Sequence, residues 1–135
     1  MSEGKQVGIV LVSHSAEVAR SVAELAVRLA GGGTAPVASA GGTPDGGLGT
    51  SSELIAAAAA SVDRGAGVAI LVDLGSAVLT VKSMMAEGDE LPEGARLVDA
   101  PFVEGAVGAV VTASVGGDLD AVEAAAAEAY DYRKE

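Results

Sequence analysis

VGIVLVSHS, Val7–Ser15, is the stretch that decides the fold. Its first six residues, Val7–Val12, are apolar apart from one glycine and rich in β-branched side chains, which is typical of a strand buried on both faces. After Ser13 the pattern changes to apolar residues at helical spacing. The sequence therefore predicts a strand, a turn that contains His14, and a helix for which Ser15 is the candidate N-cap.

The same alternation of strand and helix patterns continues along the chain. The predicted strands are Val7–Val12, Pro36–Ala40, Val68–Val72 and Ala95–Val98. The predicted helices are Ala16–Ala30, a second from Thr50 to near Gly65, Ala77–Ala86, Val103–Ser114, and a last one from Leu119 to about Tyr130. We expect an α/β fold, a three-layer open parallel sheet of about four strands with helices on both faces, as a single domain over residues 1–135. Right-handed crossovers favour the strand order 2-1-3-4.

Several residues have the pattern of helix ends. Thr50 and Glu53 form a T-x-x-E capping box, which predicts that Thr50 begins the second helix. Ser76 is predicted to begin the third helix, and Asp118 is the candidate cap of the last one. The run of three glycines at 31–33 is expected to end the first helix.

Composition and charge exclude some classes of function. The formal net charge of −11 is the wrong sign for a strong non-specific grip on nucleic acid or on an anionic membrane, so neither is an expected partner. The chain has no cysteine, which excludes disulfides and thiolate ligands and fits a reducing cytosol. No secretory signal pattern and no apolar stretch of membrane-spanning length is present. We therefore expect a cytoplasmic protein.

His14, the only histidine, is the principal candidate for chemistry. It follows the first strand, and ligands bind at the carboxyl ends of the strands in open α/β sheets. A neutral imidazole has one nitrogen with a free lone pair, which can attack an electrophile, and one N–H that needs an acceptor. Asp73 follows the third strand and is the predicted acceptor, because the expected strand order makes the two strands neighbours. The alternative interpretation is an exposed turn residue.

The surroundings of His14 offer donors for an anion such as phosphate. Hydroxyl groups, glycines that allow close backbone approach and three predicted helix starts would meet at this edge. The candidate phosphate-binding or supporting residues are Ser13, Ser15, Gly42, Gly49, Thr50, Gly75 and Ser76. Ordinary capping and turn formation is the alternative explanation for each of them taken alone.

Other kinds of site fit the sequence poorly. The glycine loop at Gly41–Gly49 lacks the Lys-Ser/Thr pair of a P-loop and the third glycine of a dinucleotide fingerprint. A Ser–His–Asp hydrolase could use Ser76, His14 and Asp73, but no G-x-S-x-G elbow is present. One histidine without cysteine cannot supply a zinc site. We expect no metal and no cofactor, and Asp45 either reaches the site or forms a turn.

Four motifs together resemble a known family. They are VSHS at Val12–Ser15, GGTPDGGLGTS at Gly41–Ser51, DLGSA at Asp73–Ala77 and APFVEGA at Ala100–Ala106. The chain, from Val7 to about Ala129, resembles the mannose-type enzyme IIA domains of the phosphotransferase system. The last two motifs favour the branch that supplies phosphoryl-carrier subunits of dihydroxyacetone kinases.

The resemblance implies a function and partners. His14 corresponds to the family's phosphorylated histidine and Asp73 to its carboxylate partner. The histidine phosphocarrier HPr would be the phosphoryl donor, as a separate protein, and ADP bound on the nucleotide subunit of dihydroxyacetone kinase would be the acceptor. The chain would then be a phosphotransferase subunit, commonly a homodimer in this family, with Phe102–Val115 as either an interface or a core helix. Two alternatives are an enzyme IIA of a mannose-type sugar transporter and a non-catalytic regulatory module.

Overall fold

Residues 5–31 and 33–135, which are the residues that this computed structural model describes, form four strands and five helices that alternate as far as the fourth helix. The strands are β1 (Gly8–Ser13), β2 (Val37–Gly41), β3 (Val68–Val72) and β4 (Ala95–Leu97). The helices are α1 (Ala16–Leu29), α2 (Ser52–Val62), α3 (Gly75–Glu87), α4 (Phe102–Ser114) and α5 (Leu119–Glu128), and a single 3₁₀ turn (Ala129–Asp131) follows them.

The strands form one parallel sheet in the order β2-β1-β3-β4, which confirms the predicted α/β class and strand order. Val12 at the end of β1 lies opposite Ala40 of β2 and Val72 of β3. The residues that follow β1 and β3 therefore meet at one edge of the sheet, at the point where the strand order reverses.

Helices cover both faces of the sheet because the side chains of β1 and β3 are apolar on both faces, apart from Ser13 at the end of β1. Alternate side chains such as Ile9 and Leu11 pack against α1, α4 and α5. The intervening ones, such as Val10 and Val12, pack against α2 and α3. The sheet is thus the middle layer of three, which is the arrangement that its fully buried strands require.

The sequence predicted two helix ends correctly and two incorrectly. Ser15 and Asp118 cap α1 and α5 through their side chains, as predicted. Thr50 does not begin α2, since the Ser51 hydroxyl accepts the Leu54 N–H and Ser52 is the first helical residue. The run Thr50–Ser52 offers three hydroxyls, and local sequence does not select among them.

The third helix also begins earlier than predicted. Gly75 is its first residue and Ser76 its second, while Leu74 has the extended cap conformation without a side-chain cap. The Leu74 carbonyl accepts the N–H groups of Ala77 and Val78 and so closes the first turn. The run of three glycines at 31–33 was predicted to end α1. Gly31 has a positive φ of 72°, and Gly32 lies outside the described residues.

The interpretation of Phe102–Val115 as a core helix is confirmed, and its interpretation as an interface stays a prediction. Helix α4 buries Ala106, Ala109 and Val110 against the sheet and lies between α1 and α5. A Cβ atom at Gly108 would lie 3.0 Å from the Ala125 carbonyl oxygen, so small residues let α4 and α5 pack closely. Among the described residues, no helix is long and apolar enough to cross a membrane.

Candidate active site

His14 lies in the two-residue turn between β1 and α1, at the carboxyl edge of the sheet, and its side chain is 24% exposed. Its backbone is held from both neighbouring strands. The His14 N–H donates to the Asp73 carboxylate at 3.0 Å, and the His14 carbonyl accepts the Gly49 N–H at 2.9 Å. The turn is therefore fixed between the loop after β2 and the end of β3.

The ring of His14 contacts Asp73 through Nδ1, which lies 3.0 Å from the carboxylate Oδ1. The predicted proximity of these two side chains is confirmed. A carboxylate can only accept, so the neutral ring carries its proton on Nδ1 and keeps a lone pair on Nε2. Asp73 thus selects one tautomer and one ring orientation, as the aspartate of a catalytic triad does.

The carboxylate of Asp73 collects further donors. The Ser13 hydroxyl donates to it at 2.8 Å and the Leu74 N–H at 2.7 Å. Partial burial raises the pKa of Asp73, but the bonds from the His14 N–H, the Ser13 hydroxyl, the His14 ring and the Leu74 N–H outweigh it and hold the pKa below the ordinary 3.8. Asp73 is therefore ionised across the physiological range.

Ser76 faces the other ring nitrogen. Its Oγ lies 2.5 Å from His14 Nε2, and the hydroxyl must donate because Nε2 carries no proton in this tautomer. Ser76 is the second residue of α3, so the N–H groups of Gly75 and Ser76 belong to the helix's first turn and have no partner within the helix. An anion next to Nε2 would meet a hydroxyl and a helix N-terminus.

The structure brings some of the other predicted residues close to His14 and not others. The Ser15 N–H donates to Ser13 Oγ at 3.1 Å, and the Gly42 N–H donates to the Ser13 carbonyl at 3.2 Å. Thr50 bonds to the Thr80 hydroxyl of α3 at 2.9 Å rather than to His14. Asp45 accepts the hydroxyl of Thr43 within its own loop, so its predicted turn-forming role is the one observed.

Sequence reasoning missed Thr80. Its hydroxyl donates to the Ser76 carbonyl at 3.3 Å and meets Thr50, so it links the start of α3 to the loop before α2. The spacing of four residues from Ser76 on one helix was the signal available for finding it.

The chain Ser76–His14–Asp73 has the order of contacts that a Ser–His–Asp hydrolase uses. Geometry alone therefore allows His14 to act either as a nucleophile or as a base for Ser76.

The fold and the site together define an α/β domain with an oriented histidine at the carboxyl edge of its sheet. The family model EIIA-man, described as "PTS system fructose IIA component", matches residues 8–123. The chain belongs to the EIIA-man family, which confirms the resemblance seen in the sequence.

Two curated relatives of the chain are each named as a phosphoryl donor subunit DhaM. A protein of Listeria innocua, "PEP-dependent dihydroxyacetone kinase 2, phosphoryl donor subunit DhaM", is 38% identical over 117 residues, which are 86% of this chain and 93% of the relative. The Escherichia coli "PEP-dependent dihydroxyacetone kinase, phosphoryl donor subunit DhaM" is 33% identical over 132 residues. The match covers 96% of this chain but only 28% of that longer relative.

Solved structures share the architecture. One, described as "unknown function protein EF1359", is 32% identical with a TM-score of 0.76 and covers 91% of this chain and 94% of its own. A "sigma-54 interaction domain protein" from Enterococcus faecalis has a TM-score of 0.66 over 96% of this chain and 93% of its own. At 18% identity, the second shows the fold alone.

Proposed function

We propose that the chain is the phosphoryl-carrier subunit of a PEP-dependent dihydroxyacetone kinase and that His14 Nε2 accepts the phosphoryl group. The observation that carries this proposal is the bond between His14 Nδ1 and Asp73, which leaves the Nε2 lone pair for attack. The names of the relatives support the phosphoryl-donor role. His14 is then the nucleophile, and Asp73 is the residue that orients it.

The transfer needs no further reactant. The Nε2 lone pair forms a bond to phosphorus while the bond from phosphorus to the donor's histidine nitrogen breaks, and the donor nitrogen keeps that electron pair. The positive charge that develops on the His14 ring is stabilised by the Asp73 carboxylate 3.0 Å away. Ser76 must first release Nε2, because a nitrogen bonded to phosphorus can no longer accept its hydrogen bond.

The negative charge on the phosphoryl oxygens is the main contribution to the energy barrier of such a transfer, and hydrogen-bond donors held next to these oxygens lower that barrier. In this proposal the Ser76 hydroxyl turns to a phosphoryl oxygen, and the N–H groups of Gly75 and Ser76 add the dipole of α3. Ser13 acts by holding Asp73, and Thr50 by bracing α3 through Thr80. Ser15, Gly42 and Gly49 keep the turn and the neighbouring loop in place.

The proposed relay has two partners. The phosphocarrier HPr would charge His14, and the phosphohistidine would pass its group to ADP held on the kinase's nucleotide subunit, in the cytoplasm. A homodimer is part of the proposal, and light scattering of the purified protein tests it. Within this relay the chain binds neither the triose nor free nucleotide, and it works as one domain.

Intact-protein mass spectrometry tests the carrier chemistry. The chain is incubated with phosphoenolpyruvate, enzyme I and HPr, and compared with His14→Ala. We expect one acid-labile phosphoryl group on the wild type and none on the variant. Labelling of His14→Ala, or no labelling of the wild type while a control carrier is labelled in parallel, contradicts the proposal.

The second candidate is an enzyme IIA for sugar transport. The family model's own description, a fructose IIA component, favours it. Both functions use the same phosphohistidine, so they differ only in the protein that discharges it.

A further inference from the structure

Three side chains after β1 and β3 make the contacts of a nucleophile, its base and the group that orients the base. Ser76 Oγ lies 2.5 Å from His14 Nε2, and His14 Nδ1 lies 3.0 Å from Asp73 Oδ1. Because the Asp73 carboxylate accepts from Nδ1, the Nε2 lone pair is the acceptor for the Ser76 hydroxyl. The two hydrogen bonds that activate a serine are therefore already formed.

Ser76 is the most accessible member of this group. The residue is exposed, whereas the side chains of His14 and Asp73 are 24% and 17% exposed. Its hydroxyl occupies the lone pair of Nε2, so that lone pair is not available to a molecule that approaches from solvent. In the unphosphorylated protein the accessible nucleophile is thus the hydroxyl, and the imidazole is in position to act as its base.

The start of α3 supplies donors for the oxygen of a carbonyl group. Gly75 and Ser76 are the first two residues of α3, so their N–H groups have no partner within the helix. The Leu74 carbonyl accepts the N–H groups of Ala77 and Val78, which come later in the same turn. Neighbouring N–H groups next to a serine Oγ are what an oxyanion hole requires, because the tetrahedral intermediate of acyl transfer carries its negative oxygen there.

A cavity next to these donors can hold the rest of a substrate. Its volume is about 420 Å³, and its walls include Gly75, Val78 and Leu97. The charged side chains in its lining are of both signs, as Asp99 and Lys82 show. A cavity of this size and lining suits a small uncharged molecule with an apolar group.

We propose that the unphosphorylated chain also hydrolyses small uncharged carboxylic esters, with Ser76 as the nucleophile, His14 as the base and Asp73 as the residue that orients His14. This activity goes beyond the proposed phosphoryl transfer, in which His14 itself is the nucleophile, and does not depend on it. The sequence has no G-x-S-x-G elbow, but the turn after β3 brings the serine to the start of a helix by another route.

The reaction needs only the ester and one water molecule. Ser76 Oγ bonds to the carbonyl carbon, its proton passes to His14 Nε2, and the carbonyl oxygen becomes negative beside the N–H groups of Gly75 and Ser76. The bond from this carbon to the alcohol oxygen then breaks, and the alcohol leaves with the proton from Nε2. Water next attacks the acyl carbon and gives a proton to Nε2, and the carboxylic acid leaves as Ser76 takes that proton back.

Phosphorylation should switch this activity off. A phosphoryl group on Nε2 uses the lone pair that has to accept the Ser76 proton. The same nitrogen therefore serves one reaction or the other, and we expect protein phosphorylated on His14 to hydrolyse no ester.

Hydrolysis of p-nitrophenyl acetate by the purified chain tests the proposal. We expect the wild type to be about 10²-fold faster than Ser76→Ala, because the variant lacks the nucleophile that the base activates. Ser83→Ala is the matched control, since Ser83 is an exposed serine further along α3, and its rate should equal that of the wild type. Thermal denaturation shows whether each variant is folded.

A fluorophosphonate probe gives a second readout that does not depend on turnover. It should label Ser76, as located by peptide mass spectrometry, and prior phosphorylation of His14 should prevent the labelling. Label on His14, or on no residue, would show that Ser76 is not activated.

Three kinetic results would overturn the proposal. The first is a wild-type rate no higher than that of an equal concentration of free imidazole. The second is a wild-type rate in Ser76→Ala with loss of activity in His14→Ala, because the imidazole then attacks the ester itself. The third is ester hydrolysis that survives complete phosphorylation of His14. Each of them leaves the carrier function standing, and failure of the phospho-HPr test would leave a serine-dependent hydrolysis standing.

Discussion

Asp73 receives four hydrogen bonds, from the Ser13 hydroxyl, the His14 N–H, the His14 ring and the Leu74 N–H. Every one of these donors belongs to a residue at the end of β1 or β3. One carboxylate therefore fixes both the backbone of the turn and the tautomer of the ring. Its substitution should alter reactivity and stability by separate routes.

Replacing Asp73 by Asn should slow phosphorylation of His14 by about 10²-fold or more, because a neutral amide neither enforces the Nδ1–H tautomer nor stabilises the charged ring. Mass spectrometry of samples quenched at successive times after mixing with phospho-HPr gives the rate of phosphorylation. Asp89→Asn is the control, since Asp89 lies in the exposed loop after α3 at the opposite edge of the sheet. A wild-type rate in Asp73→Asn would remove Asp73 from the mechanism.

The lowered pKa of Asp73 predicts a pH-dependent share of stability. The unfolded chain binds this proton near 3.8, and the folded chain only at lower pH, so the contribution is complete above the unfolded value and is lost as pH falls through the folded one. The stability gap between wild type and Asp73→Asn in urea unfolding should therefore be larger at about pH 6 than at about pH 3. A gap that widens on acidification would contradict this assignment.

Ser76→Ala separates a histidine nucleophile from a serine nucleophile. If Nε2 accepts the phosphoryl group, loss of one hydroxyl donor should slow transfer by about 10-fold to 10²-fold while His14 is still labelled. If Ser76 were the nucleophile for the phosphoryl group, the variant would lose all covalent labelling. The position of the label in the wild type, read by peptide mass spectrometry under alkaline conditions, is the second readout.

At the scale of elements, β1 and the start of α1 could be predicted because the apolar run and the Ser15 cap are local signals. The proximity of His14 and Asp73 followed from strand order, a rule of topology. Ser13 and Ser76 were predicted to lie near His14, but the atoms that they contact could not be, because these contacts depend on the register that places Val12 opposite Val72. No local pattern in either strand specifies that register.

The close approach of β2 to the His14 turn makes a further prediction. A Cβ atom at Gly41 would lie 2.8 Å from Ala16 Cα and would also collide with the Ser15 carbonyl. Gly41→Ala should therefore cost about 1–3 kcal/mol in the free energy of unfolding. Gly75→Ala is the control, because nothing lies within 4 Å of its added Cβ and its φ is not positive, so its stability should stay within about 1 kcal/mol of the wild type.

At the scale of the whole molecule, the patterns of buried strands and alternating helices are enough to predict the three layers and the strand order. The start of α2 could not be predicted because a tertiary bond joins Thr50 to Thr80. The start of α3 could not be predicted because the Leu74 carbonyl closes its first turn without a side-chain cap. The fold itself does not identify the protein that would discharge a phosphorylated His14.

The last prediction concerns the protein that accepts the phosphoryl group from His14. Labelled phosphoprotein, freed of HPr, is mixed with the ADP-loaded nucleotide subunit of dihydroxyacetone kinase or with a IIB domain of a mannose-type transporter. The relative from Listeria innocua shares 38% identity over 93% of its length and is named a kinase phosphoryl donor, so we expect the label to move to ADP and not to the IIB domain. Discharge by the IIB domain alone would make the chain a transport component, with its phosphohistidine chemistry unchanged.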